Sequence, residues 1–246
     1  MAFPLKPRKP TIDWNHPISK SLAIDVPMFE KGGKTIRELV TNTNGDFSGT
    51  PVWAITPFGP AIRFPTSSDS LSFQKVRDLN NDKNITVQLL AYITADTSGG
   101  TLLRKGNVTE YNLAVELDDG CNGVGCFVRD SAGTQGFGVS SYNLYNRWHN
   151  IIMTYENRYA TTTRPVWHRR MMDSNNQNTL GITNTCFQVP HNGSVKVDTS
   201  DLKLGGGAGG NSLALARVWT RILTKEEITT INTDPWQIYN KPKSDF

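Results

Sequence analysis

The strongest constraint on this 246-residue chain lies near its end, in Ser212–Ile231, SLALARVWTRILTKEEITTI. Leu213, Leu215, Arg217 and Trp219 alternate with Ala214, Ala216, Val218 and Thr220, so both faces of an extended strand would be largely apolar. A strand with one face in water alternates apolar and polar residues; one that is apolar on both faces needs cover on both sides. Thr224 stands three residues before Glu227, the spacing of a capping box, and predicts a short helix directly after the strand. The chain must therefore build layers around this strand.

The remaining pattern favours many short strands. Turn residues recur about every ten residues, with signals at Asn42-Thr-Asn-Gly-Asp46 and Asp118-Asp-Gly120. Ile85–Ile93, Tyr111–Leu117, Trp148–Tyr155, Val195–Val197 and Leu202–Leu204 read as strands. Residues 1–20 differ: prolines at 4, 7, 10 and 17 fix φ and remove amide donors, which predicts an extended arm. Its apolar residues Phe3, Leu5, Ile12 and Trp14 make it a candidate for docking on a neighbouring subunit or particle surface. The expected organisation is an arm over 1–20 and one all-β domain over 21–246.

Composition excludes several classes. The net charge of +4 is scattered, which does not mark a nucleic-acid binder. No apolar run approaches the roughly 20 residues of a membrane helix. The N-terminal stretch lacks the apolar core of a signal peptide, so the expected route is synthesis in the cytosol, with exit by lysis or assembly. Three cysteines, Cys121, Cys126 and Cys186, are expected to be reduced.

Several short motifs occur in the order found in laminin-G-like domains of the concanavalin A-like lectin/glucanase fold. Phe29-Glu-Lys-Gly-Gly33, Pro51-Val-Trp53, Gly59-Pro-Ala-Ile-Arg-Phe64, Arg104-Lys-Gly106 with Tyr111-Asn-Leu113, and Trp148-His149 with Met153-Thr-Tyr155 each resemble a family segment, as does the C-terminal signature. The resemblance implies an antiparallel two-sheet jelly-roll sandwich with a short C-terminal helix. The opening Pro7–Pro10 and Ile12–Pro17 and the closing Asp234–Tyr239 look like a subset frequent in bacteriophage and environmental viral genomes. That subset implies a structural or adhesive virion part. After Phe64 the family often has several acids; here only Asp69 appears, so a family-type calcium site is not supported.

Catalytic motifs fare poorly. Related glucanases carry E-x-D-x-x-E, and here Glu116-Leu-Asp118 would share a face, but the third acid is replaced by Cys121. Cys121 and Cys126 have no second pair to complete a zinc site, and the four histidines are isolated. Gly205–Gly210 lacks the Lys-Ser/Thr of a phosphate loop and reads as a flexible loop or tight bend. Trp53, Trp148 and Trp219 align with core positions. Trp167, Tyr145, Tyr142 and Tyr159 are candidates to stack on sugars or anchor a partner.

The first expectation is a non-enzymatic virion component assembled in the host cytoplasm. It would be a multi-copy or homo-oligomeric head decoration protein on a major capsid or other virion protein, with a tail or fibre part second. The alternative is a soluble lectin for a cell-surface glycan, and the third a glycoside hydrolase or lyase. No cofactor, metal, nucleic acid or membrane partner is expected.

Overall fold

The structure, a computed structural model, describes residues 6, 7, 10–77, 79, 84–94, 100–106, 111–118, 123–129, 135–140, 145–156, 168–173, 201–207 and 209–240. For 111, 112, 118, 123, 126–129, 135–140, 155, 156 and 168–173 only the backbone is described. Two antiparallel sheets face each other. One joins β1 (Leu22–Val26), β4 (Val52–Thr56), β5 (Gly59–Arg63), β7 (Asn84–Ile93), β12 (Arg147–Glu156), β13 (His168–Asp173) and β15 (Ser212–Trp219). Its order is β13-β12-β7-β15-β5-β4, with β1 also paired to β15. The other joins β2 (Thr35–Glu38), β3 (Thr43–Ser48), β6 (Ser70–Phe73), β8 (Thr101–Gly106), β9 (Tyr111–Asp118), β10 (Gly123–Arg129), β11 (Gln135–Ser140) and β14 (Leu202–Gly205). Its order is β11-β10-β9-β8-β14-β6-β3-β2. This is the expected jelly-roll sandwich, and α1 (Lys225–Thr233) follows the last strand as expected.

Alternation builds the inner core. Leu71 and Phe73, Leu113, Val115 and Leu117, and Leu202 and Leu204 meet Ile85, Val87, Leu89, Ala91 and Ile93 of β7 between the sheets. Sheet faces pack about 10 Å apart, and aliphatic side chains fill that gap. A second cluster covers the outer face of the seven-stranded sheet. There Leu90, Ile152, Leu215 and Trp219 pack under Ile12, Ile18, Leu223, Ile228, Ile231, Trp236, Ile238 and Tyr239. Every residue of β15 is buried, as its two apolar faces require. A register shift between Leu213 and Leu215 changes the parity, so Leu213 joins Ala216 and Val218 in the inner core while Leu215 and Trp219 face outward.

α1 begins with a complete capping box. Thr224 Oγ1 accepts from the Glu227 amide at 3.2 Å, and Glu227 Oε2 accepts from the Thr224 amide at 2.8 Å. Arg221 holds the same Glu227 with both terminal nitrogens, at 2.6 and 2.7 Å.

One turn expectation is corrected. Asn44-Gly45 lies inside β3; the turn is at 39–42, where Asn42 takes φ 60°. Gly45 serves packing instead: a Cβ there would lie 2.6 Å from the Phe73 ring. The Asp118-Asp-Gly120 signal fits a hairpin, since Asp118 of β9 pairs with Gly123 of β10; residues 119–122, with Cys121, lie outside the described residues. So do Cys186 and Val195–Val197.

Candidate functional site

The two outer faces of the sandwich differ in chemistry. That of the seven-stranded sheet is closed by the described part of the arm and by the C-terminal segment. Ile12 bridges Tyr239, the Asp13 amide donates to the Ile238 carbonyl at 2.8 Å, and the Asn240 amide donates to the Thr11 carbonyl at 2.9 Å. A 3₁₀ turn at Pro17–Ser19 buries Ile18, whose carbonyl accepts from Trp219 Nε1 at 2.7 Å. The arm thus docks on its own domain. Of the proposed docking residues, Ile12 is spent within the chain, 8% exposed, so it is not available to a neighbour. Trp14 stands out at 55% exposure. Phe3 and Leu5 lie outside the described residues.

Beneath this cover runs a polar network. Asp25, Arg217 and Gln88 occupy one register row across β1, β15 and β7. Arg217 Nε donates to Asp25 Oδ1 at 2.8 Å, and both side chains are fully buried. Arg217 Nη1 donates to Gln88 Oε1 at 3.2 Å and to the Pro235 carbonyl. Tyr239 Oη donates to Asp25 Oδ1 at 2.9 Å, and its ring lies 4.9 Å from the guanidinium. Gln88 passes the chain on to Asn150, which donates to the Ile231 carbonyl and to Asn232. Burial raises the Asp25 carboxyl even though Arg217 and the Arg217 and Tyr239 hydrogen bonds pull it down. This sequence-distant clasp ties the C-terminal segment to the sheet.

Lys6 closes the arm. Its ammonium donates to the carbonyls of Met28 (3.0 Å), Pro60 (2.6 Å) and Ala214 (3.0 Å) and sits 4.9 Å from the Trp236 ring centroid. Loss of water around it lowers its pKa to about 7, with Arg217 adding to the effect and Glu30 and Asp25 opposing it.

Other groups with a catalytic or metal look are used structurally. Asp69 accepts from the Thr50 amide through one oxygen and from the Thr66 amide through the other, both at 2.6 Å. Burial raises it, but these amides and the two threonine hydroxyls hold its carboxyl below the usual range. Its oxygens are therefore engaged in fixing the loop. Among the described residues no group of three or more His, Cys, Asp or Glu could hold a metal. The Gly205–Gly210 bend is tight: Gly205, Gly206, Gly207 and Gly210 all have positive φ. The amides of Gly207 and Gly210 donate to the Ser67 and Phe64 carbonyls, so they cannot cradle an anion.

On the eight-stranded sheet, Leu113, Val115 and Leu117 point into the core, which places Ala114 and Glu116 on the outer face. One register row crosses this face: Ala114, Arg104, Lys203, Ser72, Asp46 and Thr35. Arg104, Lys203, Ser72 and Glu116 are half-buried, and Asp46 and Thr35 are exposed. Thr101 Oγ1 donates to Glu116 at 3.4 Å. No local motif singles out this row, because its members come from six strands. Of the aromatic candidates, Tyr145 is half-buried and packs against the inner core; Trp167, Tyr142 and Tyr159 lie outside the described residues. Trp219 is fully buried, Trp148 packs on Phe58 and Tyr92, and Trp53 donates to the Gly33 carbonyl at 2.9 Å.

By sequence, no protein-family model and no curated protein matches the chain. By structure, the sandwich resembles receptor-binding domains of toxins. It matches the binding domain of Paraclostridial Mosquitocidal Protein 1 with a TM-score of 0.61 at 12% identity, over 87% of this chain and 52% of that one. It matches the botulinum neurotoxin serotype D binding domain with a TM-score of 0.60 at 11% identity, over 88% and 52%. A third match, the binding domain of botulinum neurotoxin DC in complex with SialylT, gives 0.60 at 10% identity, over 87% and 52%. The chain thus spans about half the length of these domains. At such identities the likeness is one of fold, a β-sandwich of the jelly-roll kind, and it lends no support to a link with phage particles.

Proposed function

We propose that this chain is a non-catalytic recognition domain whose ligand is a cell-surface glycan. The observation that carries the reading is the likeness of nearly the whole sandwich to toxin binding domains, one of them solved in complex with SialylT. The spent state of the buried acids among the described residues supports the absence of catalysis: Asp25 serves Arg217, Glu38 accepts from the amides of Asp25, Val40 and Thr41, and Asp69 fixes a loop. The test is a glycan array probed with the purified chain. Binding to a defined subset of glycans, with no hydrolysis of the bound sugars, is the expected result; an array without a hit overturns the reading.

Attachment to a virion is the second reading. It is favoured by Trp14, a large aromatic left exposed on a firmly docked arm, since tryptophan is enriched among interface hot spots. Mass spectrometry of purified particles would find the chain at a fixed ratio to the major shell protein; its absence from particles defeats this reading.

A further inference from the structure

We infer that the outer face of the eight-stranded sheet binds the carboxylate of an acidic sugar across Arg104 and Lys203; this rests on the glycan reading above. The two residues are direct partners in the β8–β14 register. Side chains so placed have Cβ atoms about 4.5–5.5 Å apart, and like charges in that position repel. Neither side chain has a hydrogen bond or ion pair among the described residues, and Arg104 Nε is buried without an acceptor. The other buried or half-buried lysines and arginines among the described residues each have a partner, although Arg217 Nη2 is also buried without an acceptor. Arg217 has Asp25, Arg221 has Glu227, and Lys6 has three carbonyls. Among the buried and half-buried lysines and arginines of the described residues, Arg104 and Lys203 are the two without a hydrogen bond or ion pair.

An anion bridging the pair turns the repulsion into two attractions, met by the terminal nitrogens of Arg104 and the Lys203 ammonium, none of which is among the buried unpaired atoms. The guanidinium fork matches a planar carboxylate through two parallel hydrogen bonds, and the lysine adds a point charge. Both groups are half-buried, so the attraction is less screened than in open water. Ala114 and Ser72 flank the pair in the same row with small side chains, and the Ser72 hydroxyl and Asp46 carboxylate offer partners to sugar hydroxyls.

The test compares lactose, 3′-sialyllactose and 3′-sulfolactose, by titration calorimetry on the full chain and on Arg104→Gln and Lys203→Gln. Sialyllactose should bind at least about tenfold more tightly than lactose, and each substitution should weaken it by about tenfold. The thermal midpoint of either variant should stay level or rise, because one of two opposed like charges has gone; a purely structural role would lower it. Unchanged sialyllactose binding by both variants, equal binding of lactose, or binding of sulfolactose alone each overturns the inference and leaves the glycan reading standing. Silence here and across the wider array overturns the glycan reading, and this inference with it.

Discussion

Single residues hold the seven-stranded sheet to its cover, and two of them carry direct predictions. Asp25 and Arg217 form a fully buried ion pair. Removing one partner leaves the other charge in the interior uncompensated, so Asp25→Asn should cost about 3–5 kcal/mol in chemical denaturation. Tyr239→Phe leaves the pair intact and removes one hydrogen bond to Asp25, so its cost should be nearer 1 kcal/mol. Lys6 predicts a pH dependence. Its pKa falls from 10.5 to about 7 on folding, mainly through lost hydration. Between those values the unfolded chain holds a proton that the folded chain does not, so stability rises with pH across this window and the Lys6 penalty is fully developed below about 7. The groups around Lys6 are Glu30, Asp25 and Arg217. Thermal melts from pH 7 to pH 10 should show this slope, and Lys6→Met should remove the Lys6 share of it; parallel curves for both proteins would refute it.

Strands and turns show where local pattern suffices and where packing overrides it. The long strand at Ile85–Ile93, the strand at Trp148–Tyr155 and the doubly apolar β15 lie where alternation puts them, because period-two burial is a local property. The capping box of α1 is likewise complete within four residues. Asn44-Gly45 is the exception, since the inner core needs a residue without a side chain beside Phe73 and Leu71. Both of those side chains are fully buried and have little room to retreat. Gly45→Ala should therefore cost about 1–3 kcal/mol by overpacking. A denaturation midpoint equal to that of the parent chain would show that the Phe73 ring yields more easily than this.

At the scale of the whole molecule, the arm is part of the fold. A free arm could be removed without harm to the domain, but here Ile12 and Ile18 roof the outer apolar cluster. Burying an isoleucine is worth about 1.5–3 kcal/mol, so deletion of residues 1–20 should lower stability by at least about 3 kcal/mol. Circular dichroism melts of the truncated chain would measure this; an unchanged midpoint would mean that the cover contributes nothing.

The all-β class, the main strands, the strand that needs two covers and the capped helix are legible in the local pattern of residues, since each depends on positions close together in the chain. Of the candidate site the sequence showed only parts: Trp14 as an apolar arm residue and Arg104 within a family-like segment. That the arm folds back on its own chain, that Asp25 meets Arg217 across 192 residues, and that Arg104 stands opposite Lys203 emerge only from the folded packing. Alternation fixes which face a side chain takes but not which strand lies beside it. Strand order and register follow from closing the sandwich around one core, and no local stretch of chain contains that information.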